Sequence, residues 1–588
     1  MVSVLLVAGL LTAFGWTNRF LSTGLLTSFA VKKPVKKAGT TTRRTNPIRM
    51  RPVEVFSLAP REQKWVDSVF QTMTPEQKIG QLFMVATFSN RDEAHYQYIE
   101  TLVRVYHIGG LIFFQGGPYR QAMLTNRYQS AAQVPLFIGI DGEWGLGMRL
   151  DSTMDFPKQM TLGAIRDEQI IYRMGVEIAR QCRRMGIHIN FAPVSDINSN
   201  PSNPVIGNRS FGESKENVAS KASAYMKGMQ HTRVIATAKH FPGHGDTNVD
   251  SHVSLPVISR SAEQIREVDL YPFRKLIADS LMGIVTGHLH VPMVDNTPRL
   301  AATLSGKIVT ELLKNELGFR GLVFTDALNM GGINRTLNSD EVNLRALIAG
   351  NDILLYPENV PDAVRRISEA VEKGEVSQSL IDEKVKKVLR AKYWAGLYRT
   401  EPVRLENLER DLTSPEARLL RQELCEQAVT LVRNQNNLLP LSNLDTVRLA
   451  SVSIGAEFGA PYQKMLSHYA PVRQFTYGEK PNSDADVEEI MNQVGDANVV
   501  VMDFHRLSPS ARWNYGVTKA SLDLITRLKQ RGVRVIACAF GPAYGLRPFI
   551  GSGADAVVCA YEESEEMQNV VPQMLFGAIP AKGVMPVS

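Results

Sequence analysis

The chain has 588 residues, 44% of them hydrophobic and 21% charged, with a formal net charge of +7. This is the composition of a soluble globular protein too long for one ordinary domain. The charge is no nucleic-acid signature: segment 31–51, VKKPVKKAGTTTRRTNPIRMR, is rich in lysine and arginine without an acid, and the remainder is near neutrality.

In chain order, the opening MVSVLLVAGLLTAFGW has the length of a signal-peptide apolar region and is short for a membrane span. Ser28-Phe29-Ala30 offers a small-x-small cleavage site, but no basic residue precedes the apolar run, so an uncleaved anchor is the alternative. Residues 1–30 are therefore expected to be a signal peptide or anchor, and 31–61 a basic linker. An exported location, periplasmic or at the cell envelope, follows.

From residue 62 short apolar runs alternate with helical-period stretches. The runs are QLFMVAT (81–87), GGLIFF (109–114), PLFIGID (135–141), HINFAPVSDI (188–197), VIATAKH (234–240), GIVTGHLH (283–290), GLVFTDAL (321–328) and DILLY (352–356). DEQIIYRMGVEIARQCRRMG and SGKIVTELLKNELG between them have helical spacing and end in glycine. Eight strands alternating with helices predict an α/β fold, a (β/α)8 barrel over 62–399. A smaller α/β sandwich domain over 400–588 follows, its mostly parallel sheet built from AVTLVRN, VRLASVSIG, ANVVVMDFH, VRVIACAFG and ADAVVCAYE. It carries no evident catalytic constellation. The four cysteines, Cys182, Cys425, Cys538 and Cys559, form no CxxC motif or disulfide framework and read as core residues.

The fifth run opens into KHFPGHGDTNVDSH, Lys239 to His252. Glycines 243 and 245 let the backbone approach a ligand, and the histidines and acids titrate or orient near neutral pH. Three readings stand: a zinc site of His240, His244 and His252 with Asp246, histidines bonded only to loop backbone, or an Asp250–His252 dyad acting as general acid/base. Polar residues also end other apolar runs, namely Asp141, Asp196, His288, His290 and Asp326. Barrel enzymes place their sites at the carboxyl ends of the strands, and unpaired polar burial is costly, so one shared site is the economical reading. A carboxylate at Asp326 facing a proton-transferring group across the mouth suits glycosidic cleavage by double displacement.

Together with NRSFG (208–212), DGEWGLGMR (141–149) and FTDALNM (324–330), the fifth-run motif resembles the β-N-acetylglucosaminidase branch of glycoside hydrolase family 3. The resemblance spans about 62–588. It implies Asp326 as nucleophile, His252 as acid/base assisted by Asp250, and Asp141, Arg149, Arg209, Lys239 and His240 as sugar-binding residues. It further implies no metal or cofactor and a carbohydrate partner bearing terminal β-linked N-acetylglucosamine, typically peptidoglycan fragments. Nucleic acid is not expected as a partner, and a membrane only through an N-terminal anchor. In some relatives a serine-hydrolase domain follows the sandwich, which the ending GAIPAKGVMPVS would fit. One departure is Glu143-Trp144-Gly145 in place of acid-Gly-Gly, so that an indole either packs under the loop or stacks on a sugar face.

Overall fold

The computed structural model describes residues 50, 54–249, 254–331, 333 and 338–588. The expected signal or anchor, and the basic linker as far as residue 49, lie outside the described residues. Among those described, no helix is long and apolar enough to cross a membrane.

The eight apolar runs form eight parallel strands: β1 Phe83–Thr87, β2 Gly110–Phe113, β3 Phe137–Ile140, β4 Ile189–Asn190, β5 Ile235–Phe241, β6 Gly283–Thr286, β7 Leu322–Thr325 and β8 Leu354–Leu355. Their order in the sheet is β7-β6-β5-β4-β3-β2-β1-β8. β1 pairs with β8 through Phe83↔Leu354 and Met84↔Leu355, and a parallel bridge Phe324↔Ile353 closes the ring into a TIM-like barrel. Every strand residue is buried, as expected where the barrel interior covers one face and helices the other. The fourth run forms a continuous ladder over only two residues, Ile189–Asn190; Pro193, which has no N–H to give, interrupts it, and a separate parallel bridge joins Val194 to Lys239.

The helices are placed by the same logic. In Glu168–Arg184 the Asp167 side chain accepts the Gln169 N–H at 2.9 Å, and Ile170, Ile171, Met174, Ile178 and Cys182 turn inward. This helix meets Lys215–His231 backbone to backbone. A Cβ on Gly175 would stand 2.5 Å from the Tyr225 carbonyl oxygen, and one on Gly228 2.3 Å from that of Tyr172, so both positions need glycine. The close crossing brings Tyr225 under the mouth of the barrel.

A second sheet follows: β9 Thr430–Asn434, β10 Leu449–Ile454, β11 Val472–Tyr477, β12 Val499–Phe504, β13 Arg534–Ala539 and β14 Ala556–Cys559, in the order β11-β10-β12-β13-β14-β9. All neighbours are parallel except β9, which runs antiparallel to β14. The strand absent from the sequence reading is β11. It lies at the sheet edge, half-exposed, and so needs no continuous apolar run. All four cysteines are buried and unbridged.

Although no catalytic set was expected in this unit, it holds a buried ionic knot. His505 lies between Asp503 Oδ2 at 2.9 Å and Glu563 Oε1 at 3.1 Å, with its ring stacked on Phe540. Burial alone would lower the imidazole pKa, but the two carboxylates outweigh it and hold it up at about 9.

Sandwich and barrel meet through polar contacts. Glu562 accepts the Lys158 N–H at 2.7 Å and the Thr161 hydroxyl, and Tyr544 bonds Asn198. The C-terminal strap adds Glu213 N–H to the Pro586 carbonyl at 3.0 Å.

Candidate active site

Volume alone would choose the wrong cavity: besides one of about 540 Å³ lined by Glu54, Arg233 and Trp394, two others compete among the described residues. The larger, about 780 Å³, opens where β3 and β4 begin and is lined by Arg180, Arg183, Arg184, Arg399 and Arg404. Its arginines clasp the connection between the two sheets: Arg183 donates to the Ala395 carbonyl at 2.6 Å, and Arg184 to those of Arg404 at 2.6 Å and Glu406 at 2.8 Å. The smaller, about 420 Å³, lies at the carboxyl ends of the strands, where barrel enzymes hold their chemistry. Asp141, Arg149, Arg209, Lys239, His240 and Asp326 all line it, so six of the eight expected site residues come together. Asp250 and His252 lie outside the described residues.

Its apolar surface comes from Phe114, Phe191 and Tyr356 with Ile112, Val205, Val285, Met330 and Leu355. Phe191 is backed edge to face at 5.3 Å by buried Phe324, and Phe114 lies against Tyr356 at 5.7 Å with the Arg149 guanidinium 4.9 Å from the Phe114 ring. The polar wall is one connected network. Arg149 and Lys239 both pair with Asp141. Lys239 Nζ also meets Glu143 Oε1 at 2.8 Å, and Glu143 receives Arg209 in a fork, Nη2 at 2.7 Å and Nε at 2.9 Å. Burial favours the neutral acid at both carboxylates, but the neighbouring cations win and hold both pKa values below the usual range. The Tyr225 hydroxyl donates to the carbonyls of Gly142 at 3.1 Å and Glu143 at 3.2 Å, so the close helix crossing positions this turn.

Glu143 is the residue that sequence reasoning left without a role. The available signal was an acid two positions beyond Asp141, flanked by glycine and tryptophan. Fully buried, such an acid must find cations, and it does so on β5 and on the turn Gly207–Arg209. Trp144 does not line the cavity. It is half-buried, with Lys158 Nζ 5.6 Å from its ring, which favours packing over sugar stacking.

Asp196 organises the end of β5. It accepts the His240 N–H, meets His240 Nδ1 at 2.7 Å, and accepts the His244 N–H at 2.7 Å. Nε2 is then the His240 ring nitrogen left for a ligand. His244 Nδ1 meets the Thr247 hydroxyl at 2.8 Å, and burial with the neighbouring His240 pushes its pKa down to about 4, so it is neutral at pH 7. Gly245 is obligatory here, because a Cβ would stand 1.7 Å from the Ile197 carbonyl oxygen. Among the described residues no group of three His, Cys, Asp or Glu side chains is arranged to hold a metal ion.

Asp326 follows β7. Its N–H donates to the Thr286 carbonyl at 3.0 Å, and its Oδ1 accepts the Ala327 N–H at 2.9 Å. Burial would raise its pKa, but His288, His240, the Ala327 amide and Lys239 outweigh that and leave it lowered. The cavity thus presents an ionised carboxylate opposite a cation-rich wall. That combination can attack an electron-poor carbon while hydrogen-bonding a polyol.

Comparison with known proteins is consistent with this chemistry. The family model described as "Glycosyl hydrolase family 3 N terminal domain" matches residues 74–391. A curated relative, beta-hexosaminidase A of Pseudoalteromonas piscicida, is 35% identical over 384 residues, covering 60% of this chain and 64% of that protein, just under two thirds of its length. A beta-N-acetylglucosaminidase/beta-glucosidase of Cellulomonas fimi is 28% identical over 395 residues, 66% of this chain and 69% of that one. Among solved structures, a glycoside hydrolase family 3 beta-N-acetylglucosaminidase from Paenibacillus sp. superposes with a TM-score of 0.73 at 29% identity, covering 88% of this chain and 99% of its own.

Proposed function

The chain belongs to glycoside hydrolase family 3, and from that premise we propose that it is a retaining exo-β-N-acetylglucosaminidase acting on terminal β-linked N-acetylglucosamine of peptidoglycan fragments. The observation that carries the reading is the ionised Asp326 in a cavity of about 420 Å³ whose opposite wall holds Arg149, Lys239 and Arg209. A cavity of that size suits one small ligand, as an exo-acting enzyme requires.

In the first step Asp326 attacks the anomeric carbon, forming a glycosyl ester as the bond to the leaving oxygen breaks. His252, oriented by Asp250, gives that oxygen its proton. In the second step His252 takes a proton from water, the water oxygen attacks the same carbon, and Asp326 leaves as carboxylate with the β configuration restored. Asp141, Arg149, Arg209, Lys239 and His240 hold the ring hydroxyls. The roles of Asp250 and His252 rest on the motif resemblance. An exported location, which the N-terminal sequence favours, agrees with a cell-wall substrate.

A panel of aryl β-glycosides tests this reading. The N-acetylglucosaminide should be turned over in preference to the glucoside and the xyloside, with the same product in phosphate and non-phosphate buffer. Preference for the glucoside overturns the substrate assignment, and a sugar phosphate as product overturns hydrolysis.

A further inference from the structure

We propose that the sandwich domain shapes the pocket without touching it, through Tyr544 as a positioning residue that acts on Arg209 by way of Asn198. The kinetic half of the argument rests on the glycosidase reading; the geometric half does not. Among the described residues the cavity is lined only from Ile112 to Tyr356, so no sandwich side chain reaches it.

Asn198 is fully buried in the segment that follows β4, and it works in two directions. Toward the sandwich, its Nδ2 donates to the Tyr544 hydroxyl oxygen at 2.8 Å while that hydroxyl donates to its carbonyl at 3.1 Å. Toward the pocket, its Oδ1 accepts the Gly207 N–H at 3.1 Å, the first amide of the turn Gly207–Arg209. The Arg209 guanidinium then enters the fork on Glu143, which also meets Lys239. One hydroxyl therefore fixes the orientation of an amide whose other end sets the arginine turn.

The blander account is that Tyr544 merely holds two domains together. Glu562 provides the control, because it ties the same domains through Lys158 and through Thr161 on the helix Gln159–Gly163, which packs on the turn Gly207–Arg209, but by hydrogen bonds that do not pass through Asn198. Losing the Tyr544 hydroxyl would strip Asn198 of two partners at a buried site and free its amide to turn away from Gly207.

The experiment compares Tyr544→Phe and Thr161→Val, each in wild type and in Arg209→Ala. Tyr544→Phe should lower kcat/KM on the aryl N-acetylglucosaminide about tenfold in wild type but less than about twofold in Arg209→Ala, because coupled residues are not additive. Thr161→Val should cost the same factor in both backgrounds. Hydrogen exchange provides the readout that needs no substrate: amides of 205–209 should exchange at least several-fold faster in Tyr544→Phe and unchanged in Thr161→Val. Equal kinetic losses in both backgrounds, or unaltered exchange of 205–209, overturn the proposal. If wild type fails to turn over the substrate, the glycosidase reading falls and the exchange result alone decides the role of Tyr544.

Discussion

Replacing Glu143 by glutamine is the sharpest perturbation the site offers, because it changes one charge and almost no volume. The wild-type carboxylate is fully buried and takes Arg209 at 2.7 and 2.9 Å and Lys239 at 2.8 Å. Glutamine retains one acceptor, but its amide N–H groups would face guanidinium or ammonium donors. Two buried cations would then share Asp141 with Arg149. Breaking a buried ion pair by removing one partner costs about 3–5 kcal/mol, most of it the uncompensated charge left behind. The barrel should therefore melt several degrees lower. As Arg209 and Lys239 reorient, kcat/KM should fall about 10²- to 10³-fold, equivalent to about 3–4 kcal/mol of transition-state binding. The double variant Glu143→Gln/Arg209→Gln removes one of the stranded cations, so it should be more stable than Glu143→Gln alone. Paired melting curves and kinetics on an aryl glycoside measure both effects. A single variant that melts with wild type, or a double variant that merely adds two losses, would refute the view that Glu143 is the counter-ion of this wall.

The other predictions concern the reacting groups and the sandwich. Asp326→Asn should lose several orders of magnitude in kcat, and a mechanism-based fluorosugar should label Asp326 alone; near-normal turnover ends its assignment as nucleophile. His252→Ala should cripple substrates with poor leaving groups far more than activated aryl substrates, with azide restoring turnover as a β-glycosyl azide; equal slowing of both substrate types without azide rescue removes the dyad. His505, raised to about 9 by Asp503 and Glu563, stabilises the fold fully below its unfolded value near 6.5, a contribution lost as pH rises through 9. Melting of His505→Gln should therefore fall short of wild type at pH 6 by much more than at pH 10, and a pH-independent gap would contradict this.

The barrel could be read from the sequence because each parallel strand is buried on both faces and so becomes a contiguous apolar run. Its polar strand ends were equally readable, since Asp141, Lys239 and Asp326 interrupt or close those runs. What escaped was pairwise. Glu143 draws its meaning from Lys239 on β5 and Arg209 in the turn Gly207–Arg209, and Asn198 from Tyr544 in the other domain, at sequence separations no local pattern encodes. Edge strand β11 escaped for a different reason: with one side half in water, its alternation of Val, Gln and Thr with Arg, Phe and Tyr resembles a loop.

The link between Asn198 and Tyr544 also has a consequence in time. A growing chain holds every strand of the barrel once Leu355 has been made, yet Tyr544 arrives about 190 residues later. At about 5–20 residues per second this is an interval of roughly ten to forty seconds. Within the sandwich, edge strand β9 likewise waits about 125 residues for β14, the strand it pairs with. During that wait the barrel can close and bury its apolar interior while the turn bearing Arg209 still lacks its outer support. The nascent protein can therefore complete its scaffold well before the turn beside the pocket gains this support, a contact encoded far downstream of the residues that line the cavity.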